Sequence, residues 1–326
     1  MKTQLLATHT PDLLAHAVAE AKRFLEAGEP VALPTETVYG LAADALRPDA
    51  ILKVFEAKER PFFDPLIVHL PDRSWLDRLT VIPEQDAPLV RALTERFWPG
   101  PLTLVLPRRA LIPDIVASGL PTVALRMSAH PVFRAIAAAF GHPLAAPSAN
   151  RFGRISPTAA PHALSELEGR IPLVVDGGPT THGVESTIVA VAWGRMEILR
   201  NGPITREELA AFGEVAAAGV VSKPVAPGQL KSHYAPRTPL RITDAPELIA
   251  GQRCGLLAWQ NARPGFDAVE VLSTCGDPRE AAAHLFAAMR RLDEAGLDVI
   301  LAEPVPESGI GAAIMDRLRK AAHDFL

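Results

Sequence analysis

Between residues 213 and 239 the chain loses every hydrophobic period and becomes rich in Ala, Gly, Pro and Ser. Such a stretch cannot bury a face of its own, and it reads as an interdomain linker. It splits the 326 residues into two pieces, each long enough to build a packed core. The expected organisation is a domain over 9–204, a linker over 205–239 and a second domain over 240–326.

Upstream of the linker, short apolar runs alternate with helical stripes. Thr10 is placed to cap a first helix, Pro11 suits its first turn, and Gly28 follows its end. Strand-like runs fall at 30–34, 66–70, 102–106, 123–127, 173–175, 186–191 and 196–199. Helical runs fall at 49–59, 88–97, 131–140 and 159–168, with a short helix at 204–212. Hairpin-like spacings mixed with helical crossovers predict an α/β domain, α+β-like in character, on a mixed twisted sheet. Downstream, strands at 240–243, 254–259, 268–272 and 298–303 alternate with helices at 246–250, 278–295 and 311–325. That pattern predicts a small α/β domain of doubly wound, Rossmann-like type.

Hydrophobic residues make up 48% and charged residues 21%, which excludes a disordered chain. A net charge of −4 leaves any direct contact with tRNA to a local patch rather than to the global field. The two cysteines, Cys254 and Cys275, form no CxxC pair, so neither a disulfide framework nor a zinc site is expected. The N-terminus has no apolar core of signal-peptide length, and no run of about 18 apolar residues occurs. A cytoplasmic protein with no membrane span is the expectation.

Familiar nucleotide motifs are missing. The nearest approach to a phosphate-binding loop, 178–183, is followed by Val184 where a lysine is needed. No GxGxxG opens a helix after a strand, and no HExxH occurs. Five polar segments instead abut apolar strands, the usual way for a rigid sheet to present a site. Residues 34–41 place two hydroxyls, a carboxylate and a phenol directly after a strand, or else form a capped turn into a helix. Lys58 and Arg60 run into a Pro-rich turn, and cations fixed in this way suit polyphosphate. Arg126 ends an apolar strand, where a guanidinium needs either an internal carboxylate or a ligand carboxylate. Residues 145–150, with Gly153 and Ser156, make a small-residue loop that allows close approach of a flat or phosphorylated ligand. Residues 176–178 and 183–187 lead through a strand to Arg200.

Taken together these segments resemble the threonylcarbamoyl-AMP synthase family in its two-domain form. The resemblance is carried by PTETVYGLAADA at 34–45, KERPFFDPLIVHL at 58–70, FWPGPLTLVL at 97–106 and VALRM at 123–127. It continues through APSANRFGRISPT at 146–158, VVDGG and GVESTIV within 174–189, and LRNGPIT at 199–205. PGQLKSHYAP at 227–236 resembles the family's linker signature, and GIGAAIMDRLRKAA at 309–322 the end of its second domain. The departures are Asp64, where Asn is expected, and Ser128-Ala129, where a proline is usual.

The resemblance implies a YrdC-like first domain with a concave cavity. It implies synthesis of L-threonylcarbamoyladenylate from L-threonine, bicarbonate and ATP with Mg2+, for a tRNA modification. It assigns Lys58 and Arg60 as catalytic. It places threonine against Thr37, His69, Arg126, Ala146 and Ser186. It places ATP against Arg60, Asp64, Thr122, Ser148, Asn150, Ser156 and Arg200, with Tyr234 of the linker reaching back over the nucleotide. The implied consumer of the product is a tRNA threonylcarbamoyl-transferase complex. Two other readings share the fold: an RNA-binding module, and a carbamoyl-phosphate-dependent carbamoyl transferase.

Overall fold

The computed structural model describes residues 2–216, 226–228 and 233–322. Residues 217–225 and 229–232 of the expected linker, and 323–325 of the last expected helix, lie outside the described residues.

The first sheet is built from β1 (Gln4–Ala7), β2 (Val31–Leu33), β3 (Gly40–Asp44), β4 (Ile67–His69), β5 (Leu102–Pro107), β6 (Thr122–Arg126), β7 (Leu144–Ala145), β8 (Leu173–Asp176), β9 (Thr187–Ala192), β10 (Arg195–Arg200) and β11 (Val215–Ala216). Their order is β1-β8-β2-β3-β7-β4-β6-β5-β9-β10-β11. Parallel pairs such as β4/β6 and β5/β9 alternate with antiparallel ones such as β2/β3 and β5/β6, so the sheet is mixed, as the sequence indicates.

The period-two rule of strands assigns each face. Val31 and Leu33 join one buried layer with Phe133 and the helix Pro11–Glu26, whereas Ala32, between them, joins the opposite layer. That helix starts where the sequence indicates, because the Thr10 hydroxyl accepts from the Leu13 amide at 3.2 Å. Its Ala17, Ala21 and Leu25 are buried.

Register then sets the site. β4 and β6 run parallel with His69 opposite Arg126, and β5 places Thr103 opposite Arg126 from the other side. Three polar residues therefore stand in a row across neighbouring strands.

The second sheet comprises β12 (Leu240–Ile242), β13 (Cys254–Ala258), β14 (Ala268–Val271) and β15 (Val299–Ala302), all parallel, in the order β12-β15-β13-β14. Its core is continuous with the first domain. Val38, Ile155 and Val184 share one buried cluster with Phe286, Met289 and Ile314.

Some elements differ from the sequence reading. Residues 34–41 turn into strand β3, not into a helix. The expected helix at 246–250 does not form. Ile249 instead packs against Cys254, Val299 and Leu301. β1 and β11 extend the first sheet beyond both ends of the 9–204 span.

Phe133 is 1% exposed and lies 4.8 Å, ring to ring, from His69. Phe133→Ala is expected to cost about 3–5 kcal/mol of stability, read as an earlier midpoint in urea unfolding.

Candidate active site

The turn after β2 is held by one hydroxyl. Thr35 Oγ1 donates to the Val38 carbonyl at 2.6 Å and accepts from the amides of Thr37 and Val38 at 3.1 and 3.2 Å. This leaves Thr37 at the cavity wall. Tyr39, the phenol of the same segment, does not join it. Its hydroxyl donates to the Gly178 carbonyl at 2.7 Å and so pins the 177–178 loop.

Arg126 meets an internal carboxylate. Its Nη2 lies 2.7 Å from Glu36 Oε1, both side chains being buried. Its Nη1 donates to the Thr37 hydroxyl at 2.9 Å and its Nε to the Gly100 carbonyl at 3.3 Å. Burial alone would raise the Glu36 carboxyl. The Arg126 charge, with hydrogen bonds from Ser128 and Arg126, overcomes that and holds it down to about 2. His69 beside them is pushed down to about 3 by burial and by the Arg126 charge. It is a neutral imidazole at physiological pH, and its buried Nδ1 has no partner among the described residues.

The cations of the second segment are held by backbone carbonyls. Lys58 is fully buried, and its Nζ donates to the carbonyls of Ser148 and Asn150, the latter at 2.6 Å. Burial, then the Arg60 charge, pushes this amine well below its ordinary value. Arg60 donates to the Pro65 carbonyl at 2.9 Å and pairs with Asp64 at 2.8 Å. Asp64 is thus committed to a neighbouring guanidinium, which accommodates an acid at the position where the resemblance expects Asn.

Arg200 closes the opposite wall. Its Nε donates to the Ser186 carbonyl and its Nη2 to the Ser186 hydroxyl, both at 3.1 Å. Ser186 also shares a 2.8 Å hydrogen bond with Thr103. Gly202 packs directly behind this strand. A Cβ there would sit 2.4 Å from the Thr187 amide nitrogen and 2.6 Å from the Glu185 carbonyl oxygen, so the strand can lie this close only against glycine.

These groups line one cavity. Thr37, Arg60, His69, Arg126, Ala146, Ser148, Ser186, Arg200 and Tyr234, all anticipated, reach its wall. Lys58, Asp64, Asn150 and Ser156 stand behind that wall, and Thr122 sits at the start of β6, away from it. The sequence reading gave no site role to Glu185, Gly228 or His233, which also line the cavity, nor to Glu36 and Arg317. Glu36 and Glu185 were visible within quoted segments, but their partners are far away in sequence. Arg317 carries no local signal.

The cavity measures about 40 Å³, room for about three waters at 10–15 Å³ each. Pockets for drug-sized ligands measure about 300–1,000 Å³. One wall consists of Pro227, Gly228, His233 and Tyr234. The Tyr234 ring is 1% exposed, stacked on Phe286 at 5.4 Å.

Residues 23–202 match the family described as telomere recombination. Residues 204–323 match that described as the C-terminal domain of threonylcarbamoyl-AMP synthase. The chain is 43% identical to the threonylcarbamoyl-AMP synthase of Bacillus subtilis, over 98% of this chain and 95% of that one. It is 41% identical to that of Pyrococcus abyssi, over 93% of each. The solved structure of Pyrococcus abyssi Sua5 complexed with L-threonine superposes with a TM-score of 0.90 at 37% identity, covering 99% of this chain and 98% of that one.

Glu36→Gln is expected to destabilise the protein at neutral pH, because Arg126 is then left buried beside an uncharged partner. A carboxyl depressed in the folded state stabilises above its ordinary value of 4.5 and loses that contribution as pH falls toward about 2. The deficit of the variant is therefore full above 4.5 and shrinks below it. Urea unfolding over a series of acid pH values reads the difference.

Proposed function

This chain belongs to the threonylcarbamoyl-AMP synthase family in its two-domain form, and on that premise we propose how its cavity carries out the family's reaction. The enzyme joins L-threonine, bicarbonate and ATP into L-threonylcarbamoyladenylate and pyrophosphate, the activated intermediate for N6-threonylcarbamoyladenosine in tRNA. One observation carries the residue roles: three buried guanidinium groups, Arg60, Arg126 and Arg200, converge with the hydroxyls of Thr37, Ser148 and Ser186 and a neutral His69 on a single cavity.

The threonine amine takes up CO2 from bicarbonate to give a carbamate. A carbamate oxygen then attacks the α-phosphorus of ATP, the bond to the bridging oxygen breaks, and pyrophosphate leaves. No protein nucleophile is required, so positioning and charge neutralisation supply the acceleration. Arg126 is already engaged through Nε, Nη1 and Nη2. The hydrogens left on its two terminal nitrogens are those that meet the threonine carboxylate. His69 Nδ1, without a partner among the described residues, accommodates the threonine hydroxyl together with Thr37 and Ser186, and Ala146 packs beside it.

Arg60 and Arg200 offset phosphate charge, with Ser148 on the same wall. Lys58 works from behind, fixing the Ser148 and Asn150 carbonyls, and Ser156 likewise acts through Glu185. Mg2+ comes with ATP as part of the substrate. Among the described residues no group of three or more His, Cys, Asp or Glu could hold a metal, and Asp64 and Glu185 are each paired with an arginine.

Residues 9–204 supply the catalytic domain, extended by β1 and β11, with 205–239 as linker and 240–326 as the second domain. No helix among the described residues is long and apolar enough to cross a membrane. The mixed anhydride is labile in water. From the tRNA role of the product we place the protein in the cytoplasm, where a tRNA threonylcarbamoyl-transferase complex takes the product over. The same lability suits a site closed by Tyr234 and opened to admit ATP.

Pyrophosphate release by the purified protein with ATP and Mg2+ is expected to require both threonine and bicarbonate. Release that ignores threonine, or no release at all, would sink this reading. Tyr234→Ala is expected to raise ATP hydrolysis that yields no threonylcarbamoyl product, measured as the ratio of pyrophosphate to threonylcarbamoyladenylate.

A further inference from the structure

We propose that Arg317, carried by the second domain, is a positioning residue of the active site: it fixes Glu185 and the Tyr234 ring, so the cavity is complete only when the second domain is docked. The proposal rests on the reaction assigned above and adds a second-domain residue to it.

Arg317 lies on the helix Gly311–Ala321 and is 0% exposed. Its Nε donates to Glu185 Oε2 at 3.1 Å, and its Nη1 donates to the Asn201 carbonyl at 2.7 Å and to Asp316 at 3.0 Å. Its guanidinium carbon lies 5.5 Å from the centre of the Tyr234 ring. Glu185 and Tyr234 are both wall residues of the cavity, whereas Glu185 and Asn201 belong to the first domain. The other oxygen of Glu185 accepts from the Ser156 hydroxyl at 2.5 Å. One second-domain side chain therefore grips a carboxylate, a carbonyl and an aromatic face, all at or directly behind the cavity wall.

An interface needs no such residue merely to cohere. The surrounding contact is apolar, formed by Val38, Ile155 and Val184 against Phe286 and Ile314. A well-packed apolar side chain often replaces a buried ion pair without loss of stability. What the apolar side chain cannot do is hold Glu185 in place. With Arg317 gone, Arg200 is the cavity-wall cation left to attract Glu185, and it is drawn away from the Ser186 carbonyl and hydroxyl. Lys320, three residues further along the same helix face, donates to the Gly228 carbonyl at 2.7 Å, so one helix sets both described stretches of the linker wall.

The test is a cycle of Arg317→Met, Glu185→Gln and the double variant, with Arg317→Lys beside them. KM for ATP and for threonine, kcat, and the ratio of pyrophosphate to threonylcarbamoyl product are measured for each. Arg317→Met is expected to lower kcat/KM for ATP by about 10- to 100-fold, the scale of a small misplacement. It is expected to leave KM for threonine much less changed and to raise the ratio. Arg317→Lys recovers part of the loss, and in the Glu185→Gln background Arg317→Met adds little.

Equal losses in both backgrounds, or unchanged ATP parameters in folded Arg317→Met, overturn the proposal. If Arg317→Met does not fold, the same cycle with Arg317→Lys decides. A parent enzyme lacking threonine-dependent release would instead fail the assigned reaction. ATP affinity of parent and variant by calorimetry then reads the same contrast without turnover.

Discussion

Buried cations have to be solvated by something, and here each one meets at least one backbone carbonyl oxygen. Lys58 is held by the carbonyls of Ser148 and Asn150, Arg60 by Pro65, Arg126 by Gly100, Arg200 by Ser186, and Arg317 by Asn201. A charge removed from water costs several kcal/mol unless such partners are in place. The loops after the strands must therefore turn so that these carbonyls point inward. Each of those carbonyls sits in a loop that follows or precedes a strand. Arg60, Arg126 and Arg317 also pair with carboxylates, whereas Arg200 is held by the carbonyl and hydroxyl of Ser186 and keeps its charge for an anionic substrate.

The loop over 148–156 shows how tightly this arrangement is coupled. Lys58 holds it from the helix end, and Ser156 ties it to Glu185. From the second domain, Arg290 donates to the Ile155 carbonyl and to Glu166. Glu166 in turn lies 3.5 Å from Arg151. Ser148, at the cavity wall, thus sits on a loop braced by both domains. This explains why the second sheet shares a core with Val38, Ile155 and Val184 instead of hanging from a linker.

The chemistry of the site was legible where it is local. Lys58, Arg60 and Ser148 announce themselves as polar residues at strand and helix ends, and the alternation of apolar runs gave the mixed sheet and the small parallel one. Arg126 was left between an internal and a ligand carboxylate, and Glu36, ninety residues away, settles its resting partner. β3 escaped because GLAAD carries no β-branched residue, so nothing in its composition marks a strand. It becomes one by pairing with β2 and β7. The expected helix at 246–250 failed for the converse reason, a local pattern outweighed by the contacts of Ile249.

The sequence by itself determined the inventory: which residues are charged, which segments are apolar with a strand or helix period, and where the chain divides in two. Those properties depend on neighbours a few residues apart, and propensity and periodicity report them directly. Only the tertiary structure decided which charges are spent on each other. Glu36 is committed to Arg126, Asp64 to Arg60, and Glu185 to Arg317 across the domain boundary. Pairing of that kind depends on register between strands and on the docking of one domain against another. Two of these three pairings join residues far apart in sequence, and no local pattern encodes them.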